Sequence, residues 1–226
     1  MKLKKIISPP ITKFITSSFL RNIKRYYFEA KRKLCRQNHD VYFFFQVDDP
    51  YSYLASQLLE KLINEYQISL SIHLVAAPDK SAAPQKKELV EFSLRDAKKI
   101  ASYHNLDFPD NTTTPSHDDI EIAMRVLALS DNLLTDILLI GKNLWSHEEK
   151  KKSNKLLASK TQLTETLEKN SLLRKQLGHY QSAMFYYAGE WYWGVDRLPY
   201  LEERIQKLGL KKNNSPNVSH FQKNTE

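Results

Sequence analysis

The sequence predicts an α/β protein: a β-α-β opening, a helical insertion, then a closing β-hairpin and a last helix. Three observations carry this. The apolar run VYFFFQV, residues 41–47, holds no turn former and passes straight into DPYSYLASQLLEKL. Helical periodicity, with breaks, fills 88–177 between two strand-bearing ends. The segment SAMFYYAGEWYWG, 182–194, reads as two short strands joined at Ala188–Gly189.

Each element has a local reason. An aromatic and β-branched run without polar alternation predicts a strand buried on both faces. Asp49 then suits a helix N-cap and Pro50 the first helical position. Leu54, Leu58, Leu59 and Leu62 mark the apolar stripe of one helix running to about Tyr66. ISLSIHLV, 68–75, alternates as a second strand, and a β-α-β unit favours parallel pairing through a right-handed crossover. A loop over 76–87 precedes a helix at 88–104. Ser116 with Asp119 forms a capping-box pattern for the next helix. After the hairpin, Asp196 is the expected cap of a last helix that Gly209 closes. The expected organisation is a basic arm at 1–39, a thioredoxin-like domain from 40–80 and 178–209, an all-helical insertion at 81–177 and a disordered tail at 210–226. This is the layout of a thioredoxin fold with a helical domain between its halves. In it, the start of the first helix is the active-site position, where free N–H groups and the helix dipole favour anions.

Bulk properties limit the partners. The chain has 226 residues, 41% of them hydrophobic, and a net charge of +8. Residues 1–39 hold eleven Lys or Arg and one acid, Glu29, a net +10, which leaves about −2 for the rest. The basicity therefore belongs to the arm, and the folded body shows no bias toward nucleic acid. The arm opens MKLKKIISPPITKFITSSFL; Pro9, Pro10 and Lys13 break the apolar core a signal peptide needs, so a cytoplasmic location is expected. FLRNIKRYYFEAKRKLCR then forms a basic amphipathic helix, with Phe19, Ile23, Tyr27 and Ala30 near one face. That face either packs on its own domain or lies on an anionic membrane surface, which would make the protein peripheral to the membrane. A single cysteine, Cys35, excludes a disulfide or dithiol cycle within the chain.

The motifs FFFQVDDPYSYLA, FSLRDAKKIASYHNLDFP, AMRVLA and GEWYWGVDRLPYLEERI, spread over 41–208, resemble the DsbA-like thioredoxin superfamily. The resemblance is nearest to the branch of 2-hydroxychromene-2-carboxylate isomerases and kappa-class glutathione transferases. It implies a small-molecule or thiol ligand, glutathione as the cosubstrate, and a homodimer. It also implies four functional places. The helix start carries C-P-Y-C or S-P-Y-S in the family; here it is Asp49, Pro50, Tyr51, Ser52. The family's cis-proline falls on Ala183, after Ser182. The turn that binds the γ-glutamyl end is Gly194, Val195, Asp196. An Asn and a Lys follow the second strand; no Asn matches in APDKSAAPQKK, and Lys86 or Lys87 is the candidate base.

Two of these places are altered, and physics assigns the change a cost. A serine hydroxyl donates to a thiolate, whereas an ionised Asp49 only accepts. A carboxylate ~4 Å from a thiolate repels it by about 4 kcal/mol at an effective dielectric of ~20. Protonating Asp49 at neutral pH costs a similar ~4 kcal/mol. Without proline, a cis bond costs ~2.5–4 kcal/mol, so Ser182–Ala183 is expected to be trans.

Asp49 is then either a plain N-cap or, with Ser52 and Asp48, an acid/base or cation-binding group. Two functions stay open: a glutathione-dependent isomerase or transferase with an altered site, and a non-catalytic descendant kept for binding. No His spacing indicates a metal site and no Gly-rich loop indicates a phosphate site. The aromatic run FYYAGEWYWG reads as core strand, and HEEKKKSNK as a solvated helix face.

Overall fold

The computed structural model describes residues 17–78, 86–110, 112–146 and 156–213. Lys86 and Lys87 are described by backbone alone, and the HEEKKKSNK stretch lies outside the described residues.

The elements run α1 (Ser18–Leu34), β1 (Asp40–Phe45), α2 (Pro50–Ser56), α3 (Leu59–Glu65), β2 (Ser69–Leu74), α4 (Lys86–His104), α5 (His117–Leu127), α6 (Leu133–Ser146), α7 (Lys160–Gln176), β3 (Met184–Tyr187), β4 (Glu190–Trp193) and α8 (Gly194–Lys207). The strands form one sheet in the order β2-β1-β3-β4. β2 lies parallel to β1, as a crossover demands, while β3 and β4 are antiparallel neighbours. Ala188 (φ 43°) and Gly189 (φ 83°) form the hairpin turn, both left-handed, as a two-residue type I′ turn requires.

β1 is the buried centre. Val41, Phe43 and Phe45 point to one face with Phe185 and Tyr187 of β3, and Phe43 stacks on Phe185 at 4.6 Å. Leu54, Leu59, Leu62, Leu198, Leu201 and Ile205 of α2, α3 and α8 complete that core. Phe44 points the other way, against His73 and Trp191. α7 closes this side: Asn170 donates to the Leu74 carbonyl, and the buried Arg174 donates to the carbonyls of Ala76 and Gln181. Ser159 and Gln162 form a full capping box at the start of α7.

Four expectations need correction. The single helix from Asp49 to Tyr66 is two helices, because the backbone tightens at Gln57 (ψ −17°) and Leu58 (ψ −6°), whose N–H groups bond the carbonyls three residues back, Leu54 and Ala55. Asp196 is not a cap: α8 begins at Gly194 (φ 59°), and Asp196 lies exposed in its first turn. Order runs past 209, since Leu210 and Lys212 exchange backbone hydrogen bonds with Gln67 and Glu65; residues 214–226 lie outside the described residues. The apolar face of α1 does not meet the domain. Phe19 (65%), Ile23 (49%) and Tyr27 (61%) are exposed, and the helix docks through Arg25 on Glu190 and Phe28 on Gly189 instead.

Candidate functional site

The site forms where β1 hands over to α2. Asp49 has extended backbone (φ −105°, ψ 113°), which aims its side chain back over the first helical N–H groups. Its Oδ1 accepts from Tyr51 N–H at 3.2 Å and its Oδ2 from Ser52 N–H at 3.1 Å. Both orphan donors of the helix start are thus capped, with Pro50 at N1 where no donor is needed.

Two hydroxyls add to the same oxygen. Ser52 Oγ donates to Asp49 Oδ2 at 2.7 Å, and Ser182 Oγ does so at 2.9 Å from the loop before β3. Ser52 is fully used. It is buried, accepts from Ala183 N–H at 3.0 Å and Gln46 N–H at 3.3 Å, and spends its one proton on Asp49. Burial pushes the Asp49 carboxyl above its ordinary value, and the bonds from Ser52, Ser182 and Tyr51 offset part of that rise.

Ala183 is the hinge of this arrangement. The described residues contain no cis peptide bond, so Ser182–Ala183 is trans, as expected for a proline-free sequence. Ala183 itself is fully buried with φ 54°, a left-handed conformation that costs a non-glycine residue ~1–2 kcal/mol. Its N–H goes to Ser52 and its carbonyl accepts from Gly194 N–H at 2.7 Å. The predicted residues Asp49, Ser52, Ser182, Ala183 and Gly194 therefore converge in one hydrogen-bonded chain.

Val195 and Asp196 lie just beyond it. With Tyr51, Leu54, Asp96, Ile100, Trp193 and Gly194 they line a cleft of about 30 Å³. Tyr51 closes the mouth: its hydroxyl donates to Asp96 at 2.8 Å and its ring meets Trp193 edge-on. Burial first, then the bond to Asp96, raises the Tyr51 hydroxyl far above its ordinary value. No local pattern in the sequence marks Asp96, which reaches the site from α4, 45 residues away. Asp48 points to Gln46, whose Nε2 donates to it at 2.9 Å. Among the described residues no cluster of three or more His, Cys, Asp or Glu is placed to hold a metal ion.

A larger cavity lies elsewhere. About 530 Å³ opens between α1 and the far end of the sheet, beside Tyr42, Tyr186 and Ala188. It is remote from Asp49, and its guanidinium groups are already engaged: Arg25 by Glu190, Arg32 by Glu29, Arg204 by the Tyr187 and Ala188 carbonyls.

No family model matches this sequence, and no curated protein matches it. Among solved structures it is similar to a selenomethionine 2-hydroxychromene-2-carboxylate isomerase, with a TM-score of 0.51 and 17% identity, over 75% of this chain and 96% of that one. The likeness extends over nearly the whole of that chain and shows the fold alone: thioredoxin-like, with helices between its two halves.

Proposed function

We propose that this chain is a non-catalytic thioredoxin-fold protein whose former thiol site serves as a structural latch. The observation that carries this reading is the Asp49 carboxylate, which takes four donated hydrogen bonds at the helix start. A thiolate needs a donor at that position, and Ser52 already spends its one proton on Asp49.

Volume supports the same reading. Ligand sites for molecules of glutathione's size enclose ~300–1,000 Å³; the cleft that Tyr51, Asp96, Trp193 and Asp196 line next to the helix start holds about 30 Å³. The loop that would dock a thiol has its Ala183 N–H committed to Ser52. The rival reading, an altered glutathione-dependent isomerase or transferase, needs an open cavity and a free donor here.

The test is a melting curve with millimolar glutathione. A ligand at 100 times its dissociation constant adds ~2.7 kcal/mol of stability. We expect no shift for the wild-type chain or for Asp49→Ser. A clear rise in the wild-type melting temperature restores the enzyme reading.

A further inference from the structure

Helix α1 turns its apolar face to solvent. Tyr26, Phe19, Ala30, Ile23, Leu34 and Tyr27 follow one another around the helix over an arc of about 100°. All six are exposed, Leu34 by 86% and Tyr26 by 79%. Lys33 borders the arc on one side, and Lys24 and Lys31 border it on the other. The opposite face holds the helix to its domain: Arg25 grips Glu190 with two bonds of 2.7 Å, and the Phe28 ring covers Gly189. The apolar arc is therefore not the docking face of this helix, and α1 buries no residue against the domain.

Charge selects the occupant. Residues 1–39 carry +10 and the remainder about −2. A second copy would bring two such arms together and repel. A soluble polyanion would match the lysines and leave the aromatic arc in water. An anionic bilayer satisfies both, taking the apolar arc below the headgroups while the flanking lysines reach lipid phosphates. No described helix is long and apolar enough to cross a membrane, so contact through α1 would be at the surface.

We propose that α1 lies flat on an anionic lipid surface with Phe19, Ile23, Tyr26, Tyr27 and Leu34 inserted and Lys24, Lys31 and Lys33 at the headgroups. The Arg25–Glu190 pair then holds the thioredoxin-like body against the membrane. The proposal stands apart from the reading of the Asp49 site.

The test is flotation of the full chain with vesicles of phosphatidylcholine alone and of phosphatidylcholine mixed with phosphatidylglycerol. Binding is expected to the mixed vesicles only and to weaken with salt. The variant Phe19→Glu/Ile23→Glu, altered at exposed positions, should melt like wild type and no longer float. Lys24→Gln and Lys31→Gln should each weaken binding by ~5-fold. Three results overturn the proposal: no flotation with mixed vesicles, flotation unchanged in Phe19→Glu/Ile23→Glu, or a wild-type dimer by light scattering that this variant dissociates.

Discussion

Ser182 donates to Asp49 across 2.9 Å, joining the loop before β3 to the start of α2 over a separation of 133 residues. The bond makes a helix cap into a tertiary contact. Asp49→Ala should therefore cost more than the ~1 kcal/mol of a lost cap. Leaving buried donors unpaired adds ~1–3 kcal/mol. Ser182→Ala should cost ~1 kcal/mol, and the double variant should fall short of the sum by ~0.5–1 kcal/mol. The penalty also depends on pH. Burial holds the folded Asp49 pKa above its unfolded value, so the folded state keeps the proton longer. Stability from this residue is greatest below the unfolded pKa near ~3.9 and declines as pH rises through the folded one. Urea unfolding at acid and neutral pH should show the larger Asp49→Ala penalty in acid. A small, additive, pH-independent penalty would refute the latch.

Introducing proline at 183 should damage the protein. Ala183 has φ 54°, whereas proline requires about −65°. Proline also removes the N–H that Ser52 Oγ accepts at 3.0 Å. Ala183→Pro should cost ~3 kcal/mol or more. Ala183→Gly should stay within ~1 kcal/mol of wild type, because relief of the left-handed backbone offsets the looser unfolded chain and the lost methyl. Melting temperatures of the two variants check this; equal temperatures would mean that the loop accommodates both backbones.

Much of this geometry is legible in the sequence where its cause is local. Asp49-Pro50 specifies a cap because the acceptor and its donors lie within three residues. Ala188–Gly189 specifies a hairpin because the turn needs two left-handed residues between alternating strands. The break at Gln57–Leu58 is hidden, since the leucine stripe continues through it and no Gly or Pro marks it. The Tyr51–Asp96 bond is hidden for the same reason. Helix α1 teaches a different lesson. Its apolar arc is plain in the sequence, yet periodicity says only that a face is apolar, not what covers it. The docking face turns out to be the charged one, because Glu190 at the hairpin offers Arg25 a carboxylate partner.

Glu190 should govern the acid limb of stability. Arg25 holds it at 2.7 Å, the Tyr192 hydroxyl donates at 2.7 Å, and Arg204 lies 3.5 Å away. Burial works to raise this carboxyl, but the Arg25 and Tyr192 bonds and the Arg204 charge outweigh it and leave it below its ordinary value. A lowered folded pKa gives stability that is present above the unfolded pKa, near ~4.3, and is lost as pH falls through the folded one. Glu190→Gln should cost ~1–2 kcal/mol at neutral pH and flatten the loss below about pH 5. It should also speed proteolysis within α1, whose main anchor it weakens. An unchanged acid limb would show that the pair is idle.

His73 should govern the window just below neutrality. Its ring stacks on Phe44 at 5.2 Å, its Nδ1 lies 3.3 Å from Asn170 Oδ1, and its Nε2 is buried with no hydrogen-bond partner. Burial lowers its pKa, so the unfolded chain protonates first. Stability from a neutral His73 is present above ~6.5 and is lost as pH falls from there through the folded pKa. His73→Phe removes both the unpaired nitrogen and the titration. It should stabilise by about 1 kcal/mol at pH 6 and reduce the slope of stability between pH 7 and 5. Denaturant midpoints across that range decide it, and a slope equal to wild type would locate the effect elsewhere.

Gly141 tests how tightly the inserted helices grip the site helix. A Cβ built on it would lie 2.5 Å from the Tyr53 ring, which is itself buried. In a free helix Gly→Ala gains ~0.8–1 kcal/mol from propensity. Here the ring is hemmed in: Tyr53 also faces Phe108, which in turn meets Trp145. Overpacking at such a contact costs ~1–3 kcal/mol. The sign of Gly141→Ala therefore reports which term wins, and we expect net destabilisation of ~1–2 kcal/mol. The double variant Gly141→Ala/Tyr53→Leu should recover the propensity gain, because the ring is no longer in the way. If Gly141→Ala alone were as stable as wild type, α6 would have to shift away from α2 to admit the methyl group.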